Sequence, residues 1–117
     1  MPRKRQEGEG VSVVSIYAVF ANAEEAERIG RTAVEERLAA CINILPAVRS
    51  IYRWQGKIET ADEVAAILKT HHWRADALIA RIAELHSYET PCIVSSPIDK
   101  ILGSYADWVE DSVMRDR

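Results

Sequence analysis

The fold is decided by one stretch of sequence, CINILPAVRSIYRW (Cys41–Trp54), by the turn Gln55-Gly56 and by the returning run at residues 58–70. Both runs are rich in aliphatic, β-branched and aromatic residues, which predicts two antiparallel strands joined as a hairpin. Pro46 cannot donate to a strand ladder, so the first strand is predicted to lie at a sheet edge and to be bulged or broken there. A strand of about 13 residues spans roughly 43 Å, whereas a compact domain of this length is roughly 35 Å across. We therefore expect the hairpin tip to project beyond the body of the domain.

The projecting tip carries apolar side chains that a monomer would leave in water. They are Ile51, Tyr52, Trp54 and Ile58. Contiguous apolar surface of this kind is uncommon on monomeric soluble proteins. A strongly twisted or bent hairpin would hide part of it, and the alternative that we favour is that another subunit covers the tip.

Outward from the hairpin, the pattern predicts two more strands and three helices. They are a strand at residues 11–20, a helix at 22–38, a helix at 73–86, a short strand at 92–96 and a final helix that begins at Ser104. The first strand is apolar on both faces, which is typical of a central strand. Asn22 with Glu25, and Ser104 with Asp107, have the spacing of capping boxes at helix starts.

The order of these elements, β-α-β-β-α-β-α, predicts an α+β fold of the ferredoxin-like (split βαβ) type. This fold has a four-stranded antiparallel sheet, to which the chain adds a C-terminal helix and the long hairpin between its second and third strands. Residues 1–10 are polar and are predicted to form a mobile N-terminal arm, and residues 11–117 a single domain.

Composition excludes several classes of protein. The net charge of −3 argues against a large basic surface for nucleic acid. The longest uncharged stretches, at residues 11–23 and 38–48, are too short to cross a membrane. Acidic residues between the basic N-terminus and the first apolar run argue against a secretion signal. Cys41 and Cys92 lie in apolar runs, which predicts reduced, buried thiols and a cytoplasmic location.

Several motifs, taken together and in this order, resemble the CutA divalent-cation-tolerance family. They are Ala39-Ala40-Cys41-Ile42-Asn43, the hairpin residues 50–59, residues 63–70, His86-Ser87-Tyr88-Glu89-Thr90-Pro91, and Tyr105 with Trp108. The resemblance runs from about Val11 to Val113. It implies a ferredoxin-like fold assembled as a tight homotrimer through the hairpin at residues 49–63, similar to the PII-type signalling proteins with ligand clefts between subunits. It also implies a cytoplasmic role in divalent metal tolerance, especially copper, with no agreed enzymatic reaction.

The chain departs from the family pattern at positions that bear on metal and ligand binding. Copper binding in one family member involves three cysteines, of which only Cys41 is matched; Ala21 and Arg81 stand at the other two positions. Arg53 and Gln55 replace an aromatic residue and a glutamate before the hairpin glycine, and Cys92 replaces a common acidic residue after Pro91. We therefore expect copper binding to be weak and not led by thiolates.

The resemblance suggests a polar set for ligand binding. Its members are Lys69, His86, Tyr88, Glu89, Glu59 and Glu63. Lys69 alternates with apolar residues, and a partly buried lysine needs an anion, so a small anionic or mixed-charge ligand is expected. An internal ion pair of Lys69 is the alternative. Glu59 and Glu63 either come from a neighbouring subunit or form a solvated ion-paired ladder with Lys57.

Cys41 and His86 are the candidate ligands for a divalent metal ion such as copper, because thiolate and imidazole suit soft metals. No CxxC or HxxxH spacing supports them, and the interpretation of Cys41 that we favour is a small buried apolar residue. His71 and His72 are adjacent in a strand and are expected to point to opposite faces.

No nucleophile–base motif is present in the sequence, so we predict a binding protein rather than an enzyme. Two alternatives stay open. The first is an enzyme whose site is shared between subunits and uses Lys69, His86 and Tyr88. The second is a scaffold trimer that binds no small ligand.

Overall fold

The central strand of the sheet is β1 (Val13–Phe20), as its two apolar faces predict. It pairs antiparallel with β3 (Lys57–His71) on one side and with β4 (Ile93–Pro97) on the other. Among the described residues β2 (Cys41–Trp54) pairs with β3 alone and forms an edge, so the strand order is β2-β3-β1-β4. The computed structural model describes residues 12–114; the predicted arm at residues 1–10 lies outside them. The ferredoxin-like α+β prediction is confirmed.

Helices α1 (Ala23–Glu35) and α2 (Ala75–Leu85) cover one face of this sheet. Every second strand residue points to this face and meets the apolar stripe of a helix. The buried core includes Val14, Ile16, Ala18, Phe20, Leu68, Ile29, Leu78 and Ile82. Burial of each large aliphatic side chain stabilises the fold by about 1.5–3 kcal/mol.

Helix α3 (Gly103–Met114) packs on the opposite face, but only at one end. It forms a second buried cluster with Val13 and Ala40. No element within residues 12–114 covers the rest of this face, and we call it the open face. Its side chains include Tyr17, Val19, Leu45, Ser50, Tyr52, Trp54 and Glu63.

The hairpin of β2 and β3 extends the molecule to 55 × 28 × 22 Å. The ladder shifts register between Leu45 and Val48, around Pro46, which confirms the predicted edge position and bulge. Gln55 (φ 51°) and Gly56 (φ 81°) close the hairpin with two left-handed residues, as a two-residue type I′ turn requires. The predicted overhang is present in the single chain, whose tip exposes 69% of Ile51.

The start of α2 differs from the prediction of a helix from Trp73. A 3₁₀ turn at His72–Arg74 precedes the helix, and the Trp73 N–H donates to Nδ1 of His71 at 3.1 Å. His71 is buried and His72 is exposed, in line with opposite faces. The local side-chain cap therefore delays the α-helix to Ala75.

Two other helix ends also differ. α1 ends at Glu35 rather than near Leu38, because Arg37 adopts a left-handed φ of 60° that stops the helix. α3 begins at Gly103, so Ser104 lies inside its first turn and is not the predicted cap. The Asn22 cap of α1 is confirmed, since its Oδ1 accepts the Glu25 N–H at 2.8 Å.

The expectation of buried thiols is wrong for Cys92. It lies just before β4 rather than within it, and it is exposed. Cys41 is half-buried, with its Sγ 3.5 Å from the hydroxyl of Tyr105. An apolar run predicts a strand, but it does not indicate which end of the run lies outside the sheet and is exposed to solvent.

Candidate functional site

A cavity of about 720 Å³ lies on the open face, at the end of the sheet away from α3. Strand β1, the β2–β3 hairpin and the loop that follows α2 each contribute to its walls. The lining residues are Tyr17, Val19, Ser50, Tyr52, Trp54, Glu63, Tyr88, Glu89, Thr90, Pro91 and Cys92. Its size falls within the range of small-molecule sites.

Glu63 and Tyr88 form a hydrogen-bonded pair at the wall of this cavity. The Tyr88 hydroxyl donates to Oε2 of Glu63 at 2.7 Å, and Glu63 is only 9% exposed. Burial and the hydrogen bond to Glu63 together raise the pKa of Tyr88 to about 12. Among residues 12–114, no lysine, arginine or histidine forms an ion pair with Glu63. The pair therefore presents negative charge to the cavity.

The loop that carries Tyr88 is held by Glu25, the second member of the α1 capping box. Oε1 of Glu25 accepts the Ala21 N–H at 3.0 Å and Oε2 accepts the Ser87 N–H at 2.7 Å. Burial raises the pKa of Glu25, but hydrogen bonds from Ala21 and Ser87 outweigh it, so the pKa is lowered overall. One buried carboxylate thus joins the start of α1 to the end of α2.

His86 supports the same loop from beneath. Its side chain has no exposed surface, and its ring stacks on Phe20 with centroids 5.2 Å apart. Nε2 donates to the Val19 carbonyl at 2.7 Å, and Nδ1 accepts the Tyr88 N–H at 3.0 Å. This pattern assigns the neutral Nε2–H tautomer. His86 positions Tyr88, and both of its nitrogens are already engaged within the chain.

The structure brings together only half of the predicted ligand set. Glu63, Tyr88 and Glu89 line the cavity, whereas His86 lies beneath it. Lys69 is half-buried further along the open face, in register with Ser15 and Cys41 rather than at the cavity. Glu59 is exposed on the hairpin, opposite Tyr52.

The two candidate metal ligands lie far apart. Cys41 is near α3, at one end of the sheet, and His86 is beneath the cavity at the other end. Within the described part of the chain, no three His, Cys, Asp or Glu side chains are grouped in a way that could hold a metal ion. The Cys41–His86 pair therefore provides no preformed centre.

Sequence reasoning missed the aromatic walls and the positioning carboxylate. Tyr17 and Val19 were recognisable as one face of β1 from their spacing of two. Tyr52 and Trp54 were interpreted as interface residues, although both also line the cavity together with Glu63. Glu25 was recognised as a capping residue, but its bond to Ser87 joins residues 62 positions apart, which no local pattern indicates.

Comparison with known proteins identifies the family. The sequence model of the CutA1 divalent ion tolerance protein family matches residues 14–112. The chain belongs to this family. The divalent-cation tolerance protein CutA of Archaeoglobus fulgidus is 42% identical over 98 residues, covering 84% of this chain and 95% of that protein.

Solved structures of CutA proteins have the same fold. The CutA crystal structure from Xylella fastidiosa is 37% identical, with a TM-score of 0.85, and covers 87% of this chain and 98% of that one. The CutA structure from A. fulgidus, described as periplasmic, is 40% identical, with a TM-score of 0.84 over 86% and 98% of the two chains. The CutA family is named for tolerance of divalent ions and not for a reaction.

Proposed function

We propose that this chain forms a cytoplasmic homotrimer that acts as a ligand-binding module in the response to divalent cations, rather than as an enzyme. Its small ligand occupies the cavity beside Glu63 and Tyr88, at a boundary between subunits. One observation carries the proposal: a cavity of about 720 Å³ with a buried carboxylate–tyrosine pair lies at the root of a projecting hairpin. Oligomer boundaries commonly complete such clefts.

Assembly through the hairpin at residues 49–63 is supported by the apolar surface of the tip. In the single chain 69% of Ile51, 61% of Ile58 and 47% of Trp54 are exposed. Trp and Tyr side chains near the centre of an interface are enriched among the residues that contribute most to binding, and apolar surface in general is stabilised by removal from water. A partner subunit that covers the tip would remove this surface from water.

A binding role is favoured over catalysis by the state of His86. Its imidazole is buried and hydrogen-bonded at both nitrogens, so it does not reach a ligand in the cavity as an acid or base. Copper, in this proposal, binds weakly and without a thiolate centre, because Cys41 is the one family cysteine retained and it contacts Tyr105.

The cytoplasmic location is part of the proposal and rests on the two unpaired thiols, which a reducing compartment preserves. The relative from A. fulgidus is described as periplasmic, so fractionation of cells that express the native gene is the direct test. Recovery with periplasmic markers would contradict this part. No helix within residues 12–114 is both long and apolar enough to cross a membrane.

Sedimentation velocity at micromolar chain concentration tests the assembly. The wild type is expected to sediment with three times the mass of one 117-residue chain. Trp54→Asp should shift it towards the monomer, because a buried unpaired carboxylate costs several kcal/mol. Trp73→Asp is the matched control, since Trp73 is 75% exposed and lies outside the hairpin. A stable wild-type monomer, or equal effects of the two variants, would contradict the proposal.

A further inference from the structure

Glu63 is a buried carboxylate that faces a cavity and has no counter-charge among residues 12–114. Its one hydrogen-bond partner among the described residues is the neutral Tyr88 hydroxyl, since the pKa of that phenol is raised to about 12. A buried anion without a cation is costly, and proteins usually supply a charged partner. Glu89, on the same wall, adds a second carboxylate. No described residue that lines the cavity is a lysine, arginine or histidine.

Aromatic rings supply most of the remaining wall. Tyr17 comes from β1, Tyr52 and Trp54 come from β2, and Tyr88 comes from the loop after α2. In the single chain each of them is 37–47% exposed. The proposed assembly covers part of Tyr52 and Trp54, so a ligand would meet the ring surface that remains at the subunit boundary. The faces of aromatic rings attract cations, and several rings around one space form the cages that bind alkylated ammonium groups.

The lining also distinguishes between classes of ligand. A hard divalent metal ion prefers about six oxygen ligands, and no metal-holding group of three His, Cys, Asp or Glu side chains is found among residues 12–114. An anion would be repelled by the two carboxylates of the cavity. Lys69 was the reason to expect an anionic ligand, but it does not line the cavity. A cation with an apolar surface satisfies both the carboxylates and the rings.

We infer that the cavity binds a small organic cation of the alkylammonium class, with Glu63 as its counter-charge and the rings of Tyr17, Tyr52 and Trp54 around its alkyl groups. This inference rests on the proposed function, because it names the ligand class of the same cavity. The inference is narrower than the proposed function, because it specifies the charge and shape of the ligand. It is wrong if the cavity binds only ligands of another charge or shape, and the proposed function then still holds.

Three probes of nearly equal shape separate charge from size. Tetramethylammonium is the cation, tert-butanol the neutral analogue and pivalate the anion. Saturation-transfer NMR follows the methyl protons of each probe against the assembled wild-type protein at constant ionic strength. Tetramethylammonium is expected to bind saturably and at least about tenfold more tightly than tert-butanol, with pivalate weakest.

Variants place the binding in the cavity. Glu63→Gln keeps an acceptor for the Tyr88 hydroxyl but removes the charge, and Tyr17→Leu removes a ring while it retains apolar volume. Each should weaken tetramethylammonium binding about threefold to tenfold. Glu27→Gln and Trp73→Leu are the matched controls, because both residues are exposed and neither lines the cavity. Sedimentation of every variant confirms that assembly is retained, and Glu89→Gln replaces Glu63→Gln if the latter fails to fold.

The outcomes distinguish the inference from the proposed function. Equal binding of tert-butanol and tetramethylammonium, or tighter binding of pivalate, with sensitivity to Tyr17→Leu, would overturn the organic-cation class and leave the cavity as a site. Binding of tetramethylammonium that no cavity variant changes would also overturn the inference. Failure of all three probes, and of divalent metal ions, to bind the assembled protein would overturn the inference and the binding function together.

Discussion

Replacement of Glu25 by glutamine tests how the chain holds the cavity loop. Glu25 is 4% exposed, and its two carboxylate oxygens accept the N–H groups of Ala21 and Ser87. An amide offers one oxygen and one NH₂, so one backbone donor would face another donor. The variant therefore lacks one charged hydrogen bond and leaves a buried N–H without an acceptor. Together these changes should lower the free energy of unfolding by about 2–3 kcal/mol at pH 7.

The effect should depend on pH with a defined sign. The pKa of Glu25 is lowered in the folded protein, so its ionised form contributes stability that is fully present above the unfolded pKa. That contribution is lost as the pH falls through the folded value. The difference in stability between wild type and Glu25→Gln should therefore be largest near neutrality and shrink below about pH 4.

Urea unfolding at one fixed chain concentration measures this difference, because unfolding of an oligomer depends on concentration. Glu24→Gln is the matched control: Glu24 is exposed, lies in the same first turn of α1, and should lose only the helix-dipole contribution of about 0.3–1 kcal/mol. Hydrogen exchange of the Ser87 amide provides a local measurement and should accelerate in Glu25→Gln alone. Equal stabilities of the two variants, or unchanged Ser87 exchange, would refute the reasoning.

Three further predictions follow from other contacts. Tyr88→Phe should remove one phenol that titrates near pH 12 in a spectrophotometric titration. Because the pKa of Tyr88 is raised in the folded protein, the wild type should lose stability relative to this variant above about pH 10. An unchanged titration curve would contradict this prediction. Gly30→Ala would place its Cβ 2.6 Å from Cδ1 of Ile42. Urea denaturation should therefore show that the free energy of unfolding falls by about 1 kcal/mol, although alanine has the better helix propensity. The decrease should be smaller in an Ile42→Val background, and a stabilised single variant would show that the packing argument is wrong. Cys41→Ser should leave copper titration curves nearly unchanged. If the wild type has a tight stoichiometric copper site that this variant lacks, the prediction that copper binds without a thiolate ligand is wrong.

The periodic parts of the fold could be predicted from the sequence. Apolar residues on both faces of the first strand identified a central strand, and Pro46 indicated both the edge position and the bulge of β2. The hairpin overhang followed from strand length alone. Local competition between hydrogen bonds caused the errors at helix ends, since the His71 side chain caps a 3₁₀ turn where the apolar period continues through Trp73.

The candidate site was predictable only in part, because it depends on which strands meet. Glu63, Tyr88 and Glu89 were found through the motifs at residues 63–70 and 86–91 that resemble the CutA family. Lys69 was assigned to the ligand set from the resemblance and from its expected partial burial, but the register places it beside Cys41 and away from the cavity. His86 was expected in the ligand set, whereas its stacking on Phe20 beneath the cavity is a long-range contact that local pattern does not reveal.

The most direct test of the central claim, an open ligand cavity in the assembled protein, is the reactivity of Cys92. In a Cys41→Ser variant Cys92 is the one remaining thiol, and it lines the cavity and is exposed. Intact-mass measurement after treatment of the assembled protein with iodoacetamide is expected to show one adduct per chain under native conditions. An assembly in which Cys92 is modified only after denaturation would show that a neighbouring subunit fills the cavity, and would contradict the account.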